Sequence, residues 1–400
     1  MTMAPTSPPP ILLLPEELLI EIAAAKPQKS HAAQPPEWVL SHVCRRFRRV
    51  VTAARTLWTQ VVVDLCSDSS TELFRLYLER SAACQMEVTL RAMNNDLEAP
   101  KGLQYLSPHV GRIARLTIAV NSHEVLDTVL ASFRNVAMPS LQHLEISSKY
   151  DIDLVDNDLS PLQLRIIFSF KIACCTLSFP PPQWMVGLTH LDLRGYPYPA
   201  PENSGIFRRI TKELPSLVYL YVDLSTVTFI SGGGIVSQSL THLDLELHES
   251  DEESEALSNE LSSFNTPHLT HLGLHGTHGD QLSLLFNSTQ PAQARFPAVS
   301  SLTFTHLDRP VVCTCEVEGS YRDHYKPIAA PLKLFPVVSS LTLVDECFTP
   351  RIVSDLLGHG SQPWPLLDVL ALRPKPSEAE KLYTALQDVV RWKRSQQESL

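Results

Sequence analysis

Apolar and polar positions follow two different rhythms along this chain. Over the first 60 or so residues the spacing is helical. Leu14-Pro15-Glu16-Glu17-Leu18-Leu19-Ile20-Glu21-Ile22 predicts a short helix with Pro15 at its start. Two glutamates in its first turn complement the helix dipole, and Leu18, Leu19 and Ile22 share one face. A loop rich in Ala, Pro, Lys and Gln follows, and Pro35-Pro36 sets the start of a second helix expected over residues 37–54. At about 100° per residue, Val39, Leu40, Val43, Phe47, Val50 and Val51 fall on one arc and Arg45, Arg46, Arg48 and Arg49 on the opposite one. That segregation favours a solvated basic face over a nucleic-acid or import patch. Two short helices around a long polar loop cannot bury all their apolar residues, so a partner or the next domain must cover the remainder.

From about residue 110 the rhythm changes to a six-residue theme: an apolar residue, two others, Leu, one other, and a second apolar residue. Copies stand at residues 113–118, 141–146, 188–193, 217–222, 240–245, 269–274, 299–304, 338–343 and 367–372. Their commonest interval is about 29 residues, the long end of the leucine-rich-repeat range. The wide gap between Leu144 and Leu191 predicts a degenerate copy near residues 164–168. Helix-like stretches lie between copies, at 123–136, 207–214, 255–264, 281–286 and 351–357. Each unit has too little apolar surface to close its own core. The units are therefore expected to stack, with parallel strands on one face and helices on the other. Residues 72–79 and 86–90 read as a helix and strand that cap the beginning of the array. Ser377-Glu-Ala-Glu380 is a capping box opening a helix that carries Leu382 and Leu386 and covers its end. The expected fold is α/β in four parts: a disordered N-terminus (1–10), a small helical domain (11–65), an irregular leucine-rich-repeat-like solenoid (70–376), and a C-terminal capping helix and tail (377–400).

Leu14-Pro15, Leu18-Leu19 and Ile22, then Leu40-Ser41-His42-Val43-Cys44-Arg45-Arg46-Phe47-Arg48, then Leu57-Trp58, resemble the F-box in its fungal form, in the expected order. In that family these helices insert into the Skp-type adaptor of an SCF ubiquitin ligase, which a cullin organises. The resemblance implies adaptor contact at Leu14, Pro15, Leu18, Ile22, Val43, Leu57 and Trp58, as apolar anchors filling grooves of a helical partner. The repeat pattern is similar to leucine-rich repeats of the F-box/LRR type. It lacks the Asn or Cys that normally follows the strand, which predicts irregular turns and uneven curvature.

Strand alternation places the two apolar residues of each theme inward and their neighbours outward. The outward candidates for holding a client are His143, Glu145, His190, Asp192, Arg194, Tyr219, Tyr221, Asp223, His242, Asp244, Glu246 and His271. Such a face suits a basic, partly aromatic client segment. These residues also read as solvated strand positions, since surface strands need polar residues. His268, His271, His275 and His278 are close in sequence, but Gly273 and Gly276 intervene and no carboxylate is expected beside them, so no metal site is read there. The acidic run 249–255 reads as a helix start, and Asn287-Ser-Thr289 as an unmodified sequon.

Composition narrows the function classes. The chain has 400 residues, 44% apolar and 19% charged, and a formal net charge of -10. That balance argues against nonspecific nucleic-acid or membrane binding. It contains no run of about 18 apolar residues, the length needed to span a bilayer. MTMAPTSPPP lacks a basic region ahead of residues 11–14, so a cytoplasmic or nuclear protein is expected. The eight cysteines lack C-x-x-C spacing and read as reduced thiols, with Cys313-x-Cys315 in an ordinary loop. There is no G-x-S-x-G, no phosphate-cradling glycine loop and no H-E-x-x-H, so no enzymatic activity, cofactor or metal is expected. The expectation is a substrate-recognition adaptor of an SCF-type ligase; the alternative is a non-catalytic repeat scaffold acting independently of ubiquitylation.

Overall fold

Helical spacing at the start of the chain produces three short helices, α1 (Glu16–Ala24), α2 (Pro36–Val43) and α3 (Arg45–Ala53), after a 3₁₀ turn at Pro10–Leu13. The computed structural model describes residues 10–25, 36–92, 102–133, 136–152, 167–175, 183–194, 206–223, 235–246, 264–276, 296–305, 335, 337–345, 367–374, 380, 383 and 387. The chain divides into two units, Met1–Tyr150 with Asn157–Ile167, and Asp151–Asp156 with Phe168–Leu400. The three helices share the first unit with the first strands.

The single helix expected over 37–54 is broken at Cys44, whose backbone is extended (φ −158°, ψ 170°). The cause is a competition for acceptors. In a continuous helix the Arg45 N–H would bond the Ser41 carbonyl. That carbonyl instead accepts from Arg48 Nε at 2.9 Å, and the Ser41 hydroxyl turns back to the Trp38 carbonyl at 2.7 Å. Cys44 then starts α3 by accepting from the Arg48 N–H at 2.9 Å. The expected apolar arc splits with it: Phe47, Val50 and Val51 are buried, while Val39 and Val43 are exposed.

Leu19, Phe47 and Val50 form the core of these helices, with Leu14, Ile20, Leu40 and Cys44 packed against it. A turn at Arg55–Trp58 leads to β1 (Gln60–Asp64), a strand that the sequence reading did not anticipate. Then come α4 (Asp68–Arg80), β2 (Met86–Ala92), α5 (Leu103–Leu106), a 3₁₀ turn at Ser107–Arg112, β3 (Ile113–Val120), α6 (His123–Phe133) and β4 (His143–Ile152). The pairs β1–β2, β2–β3 and β3–β4 are all parallel. The expected opening pair, 72–79 with 86–90, is α4 and β2.

Trp58 ties the helices to this sheet. Its indole N–H donates to the Val51 carbonyl at 2.8 Å, its ring meets Tyr77 edge-on at 5.0 Å, and the Arg80 guanidinium lies 4.2 Å from its centroid. Tyr77 in turn donates its hydroxyl to the buried Glu37 carboxylate at the start of α2. Burial, then the bond to Glu37, holds the Tyr77 hydroxyl well above the usual phenol range, so it remains a donor.

The end of α4 is capped by Arg112, which donates to the Leu78 carbonyl at 2.7 Å and the Cys84 carbonyl at 3.2 Å. Just past that end Ala82 has φ 48°, the left-handed region. A side chain there costs roughly 1–2 kcal/mol, and glycine returns about 0.4–1 kcal/mol of that through unfolded-state entropy. Ala82→Gly is expected to raise stability by about 0.5–1 kcal/mol, read as a higher urea midpoint at unchanged m-value.

In the second unit the elements are β5 (Ser169–Cys175), a 3₁₀ turn at Gln183–Met185, β6 (His190–Arg194), α7 (Ile206–Glu213), β7 (Tyr219–Asp223), β8 (Ile235–Val236), β9 (His242–Glu246), β10 (Phe264–Asn265), β11 (His271–His275), β12 (Ser301–Thr305), β13 (Ser340–Asp345) and β14 (Val369–Pro374). Strands β5, β6, β7, β9, β11, β12, β13 and β14 lie side by side in chain order, each pair parallel. The short β8 and β10 pair with each other.

The six-residue theme sets the register. Leu191, Leu220, Leu243, Leu272, Leu302, Leu341 and Leu370 stand opposite one another across the strands, and so do the second apolar residues from Leu193 to Leu372. The degenerate copy lies a few residues later than expected. Phe170 pairs with Leu191 and Ile172 with Leu193, so the copy is 167–172, with phenylalanine in place of the leucine. Its ring is buried and meets Trp184 edge-on at 5.7 Å.

The helices expected at 281–286 and 351–357, nearly all of those at 255–264 and 377–400, the run 249–255, Cys313, Cys315, His278 and the 287–289 sequon lie outside the described residues. Among those described, no helix is long and apolar enough to cross a membrane.

Candidate functional site

The first candidate surface lies on the helices of the first unit. Leu18 (43% exposed), Ile22 (42%), Val39 (46%) and Val43 (59%) remain outside a core that is already closed beneath them. Pro15 is also exposed, while Leu14 and Leu57 are partly buried. Trp58 is different: it is 0% exposed, held by Val51, Tyr77 and Arg80, and so cannot itself fill a partner's groove. It belongs to the support of this surface. Ile11, Leu13 and Val39 are exposed apolar residues outside the expected contact set. The arginines of α3 do more than face solvent. Arg46 donates to the Leu14 carbonyl at 2.6 Å and Arg49 pairs with Glu16 at 2.9 Å, fixing α1 on α3.

The second candidate surface is built by neighbouring strands of the second unit. His190, Tyr219, His242 and His271 stand in register across β6, β7, β9 and β11, and the row continues into Ser301 and Ser340. Ring centroids are 5.8 Å apart for His190–Tyr219, 6.4 Å for Tyr219–His242 and 4.0 Å for His242–His271, the last pair nearly parallel at 9°.

A recurring Leu-Thr-His-Leu sequence orients three of these rings. The hydroxyls of Thr189, Thr241 and Thr270 lie 2.8, 2.7 and 2.8 Å from Nδ1 of His190, His242 and His271. Each hydroxyl also reaches the carbonyl of the residue just before the neighbouring strand, Phe168, Val218 or Thr241. A hydroxyl has one proton; when the carbonyl takes it, the hydroxyl must accept from the imidazole. In a neutral ring that places the proton on Nδ1 and leaves Nε2 as the acceptor. Burial, then the neighbouring His271, lowers the pKa of His242, which favours its neutral form.

The next outward row, Asp192, Tyr221, Asp244 and Gly273, carries the charge. Tyr219 donates its hydroxyl to Asp244 Oδ2 at 2.9 Å, and His275 Nε2 is 3.4 Å from Asp244 Oδ1, an electrostatic contact without hydrogen-bond alignment. Burial pushes the Asp244 carboxyl up, but His275 and Tyr219 together outweigh it and hold it below the usual range. Burial and the adjoining carboxylates keep the Tyr219 and Tyr221 hydroxyls protonated, with Tyr221 donating to Glu246. Arg194 grips Asp192 through Nε at 2.9 and 3.1 Å while its guanidinium lies 4.4 Å from the Tyr221 centroid.

Gly273 makes room for this arrangement. A Cβ at that position would stand 1.8 Å from Asp244 Oδ1 and 3.0 Å from His275 Nε2. The Asp244 carboxylate therefore lies over the glycine on the adjacent strand.

Comparison with known proteins finds no matching family model and no matching curated protein.

Of the expected client set, His190, Asp192, Arg194, Tyr219, His242, Asp244, Glu246 and His271 come together on this face. Tyr221 and Asp223 are corrected, because both are buried. Tyr221 is covered by Arg194 and stacks with His275 at 5.8 Å. His143 and Glu145 stand on β4 in the first unit, half-buried, with Thr117 Oγ1 3.5 Å from the Glu145 carboxylate. Gly273 and His275 fall at outward positions of the theme but were not among the expected client residues. A carboxylate does stand beside His275, contrary to the sequence expectation. The signal that could have identified them is the glycine itself, which follows Asp192, Tyr221 and Asp244 at the same position of the repeated theme. Among the described residues no three His, Cys, Asp or Glu side chains are arranged to hold a metal ion.

Proposed function

We propose that this chain is the substrate-recognition adaptor of an SCF-type ubiquitin ligase. The F-box-like helices α1 to α3 dock on a Skp-type adaptor linked to a cullin. The parallel strands form a leucine-rich-repeat-like solenoid whose outward face holds a protein client, in the cytoplasm or nucleus. The observation that carries this reading is the set Leu18, Ile22, Val39 and Val43, left exposed on short helices over a closed core. Unpaired apolar anchors of this kind fit the grooves of a helical partner, as the sequence resemblance implies.

The test is co-purification of the full chain with a Skp-type adaptor and cullin, wild type beside Leu18→Ala/Val43→Ala. Buried hot-spot anchors are each worth roughly 2 kcal/mol or more, so the double variant is expected to bind at least about a hundredfold more weakly. Both residues are exposed, so the fold should survive, as circular dichroism would report. Absence of wild-type binding, or full binding by the double variant, would refute adaptor docking through these helices and leave the repeat-scaffold reading.

A further inference from the structure

The row of rings on the second unit ends asymmetrically. One face of the His271 imidazole is stacked on His242 at 4.0 Å. On its other side the register continues into Ser301 and Ser340, side chains too short to cover a ring. His271 is exposed, and among the described residues its outer face has only this shelf of two hydroxyls beside it. Two positions further along β11, the Asp244 carboxylate lies over Gly273. A planar π-surface and a fixed negative charge thus lie side by side.

Arg194 displays the same pairing elsewhere on the face. Its guanidinium lies 4.4 Å from the Tyr221 centroid while Nε is held by both oxygens of Asp192. At His271 and Asp244 the carboxylate accepts from Tyr219 and faces His275, and among the described residues no guanidinium completes the pairing.

Resting on the reading of this face as a client surface, we propose that it recognises an arginine side chain of the client, the guanidinium stacking on the open face of His271 and its charge answered by Asp244. Charge complementarity selects a cation: among the described residues Asp192, Asp244 and Glu246 stand against two fixed cations, Lys171 and Arg194, both beside Asp192, which leaves the Asp244 end of the face negative. The ring selects arginine over lysine, because a planar, weakly hydrated guanidinium stacks on an aromatic face and a compact ammonium keeps its water. A nucleobase would bring phosphate toward three carboxylates and is disfavoured.

The probes are acetyl-Gly-Gly-Arg-Gly-Gly-amide and its lysine and citrulline counterparts, titrated into the full chain and followed by NMR of the histidine Cε1–H resonances. The arginine peptide is expected to bind in the millimolar range, about fivefold tighter than the lysine peptide, with citrulline weaker still. His271→Ser should remove the preference for arginine over lysine, whereas Asp244→Asn should weaken both cations. Ser301→Phe, which puts a ring on the shelf beside His271, should block the arginine peptide and serves should His271→Ser not fold.

Equal binding of arginine and lysine, no binding by either, or arginine preference surviving both His271→Ser and Ser301→Phe would overturn the proposal. Adaptor co-purification reads the other surface. Loss of peptide selectivity with intact adaptor binding therefore rejects the arginine site alone, and selectivity without adaptor binding rejects the ligase reading alone.

Discussion

Trp58→Ala is expected to destabilise the first unit by about 3–5 kcal/mol, the range for removing a fully buried aromatic side chain. Three losses coincide at this position. The indole leaves a cavity between α3 and α4, the Val51 carbonyl loses its 2.8 Å donor, and Tyr77 and Arg80 lose the ring they pack against. Tyr77 holds the buried Glu37 carboxylate, so the disturbance reaches the start of α2. The measurement is a urea titration followed by hydrogen exchange at the amides of residues 45–80, where protection should fall together across α3, β1 and α4. A loss below about 1 kcal/mol would contradict the burial. The same variant should also weaken adaptor binding, through loss of structure. Leu18→Ala and Val43→Ala distinguish contact from folding because their side chains are exposed.

Gly273→Val is expected to cost about 2 kcal/mol in the second unit. The new side chain must expel the Asp244 carboxylate, which would lie 1.8 Å from its Cβ, and press on His275. Losing a hydrogen bond to a charged acceptor, here from Tyr219, costs about 1.5–3 kcal/mol, and overpacking adds to it. The better strand propensity of valine returns at most about 1 kcal/mol. In the arginine-peptide titration this variant should behave like Asp244→Asn, because displacing the carboxylate takes its charge away from the site as neutralising it does. Gly273→Val with wild-type stability and wild-type peptide binding would show that Asp244 does not depend on the glycine.

Much of the architecture was legible in the apolar pattern. The six-residue theme marked β6, β7, β9, β11, β12, β13 and β14, because an inward residue at each second position on parallel strands leaves one register that buries them all. The repeated Leu-Thr-His-Leu already contained the row of histidines and the hydroxyls that orient them. Other features were hidden for identifiable reasons. The stop at Cys44 depends on Arg48 taking the Ser41 carbonyl, a choice between two local acceptors that helical periodicity does not register. The Val61-Val62-Val63 run of β1 was too short to separate from the helical segment ahead of it.

By itself the sequence determined which residues alternate inward, the order and register of the strands, and the chemistry of the outward rows, because these follow from local spacing and the two-residue period of a strand. Only the tertiary structure decided which outward residues remain available. Trp58, Tyr221 and Asp223 are buried, and Gly273 becomes the seat of a carboxylate from the adjacent strand. Such outcomes depend on side chains that approach one another from positions about 29 residues apart, where sidechain reach and partner size, rather than spacing, set exposure.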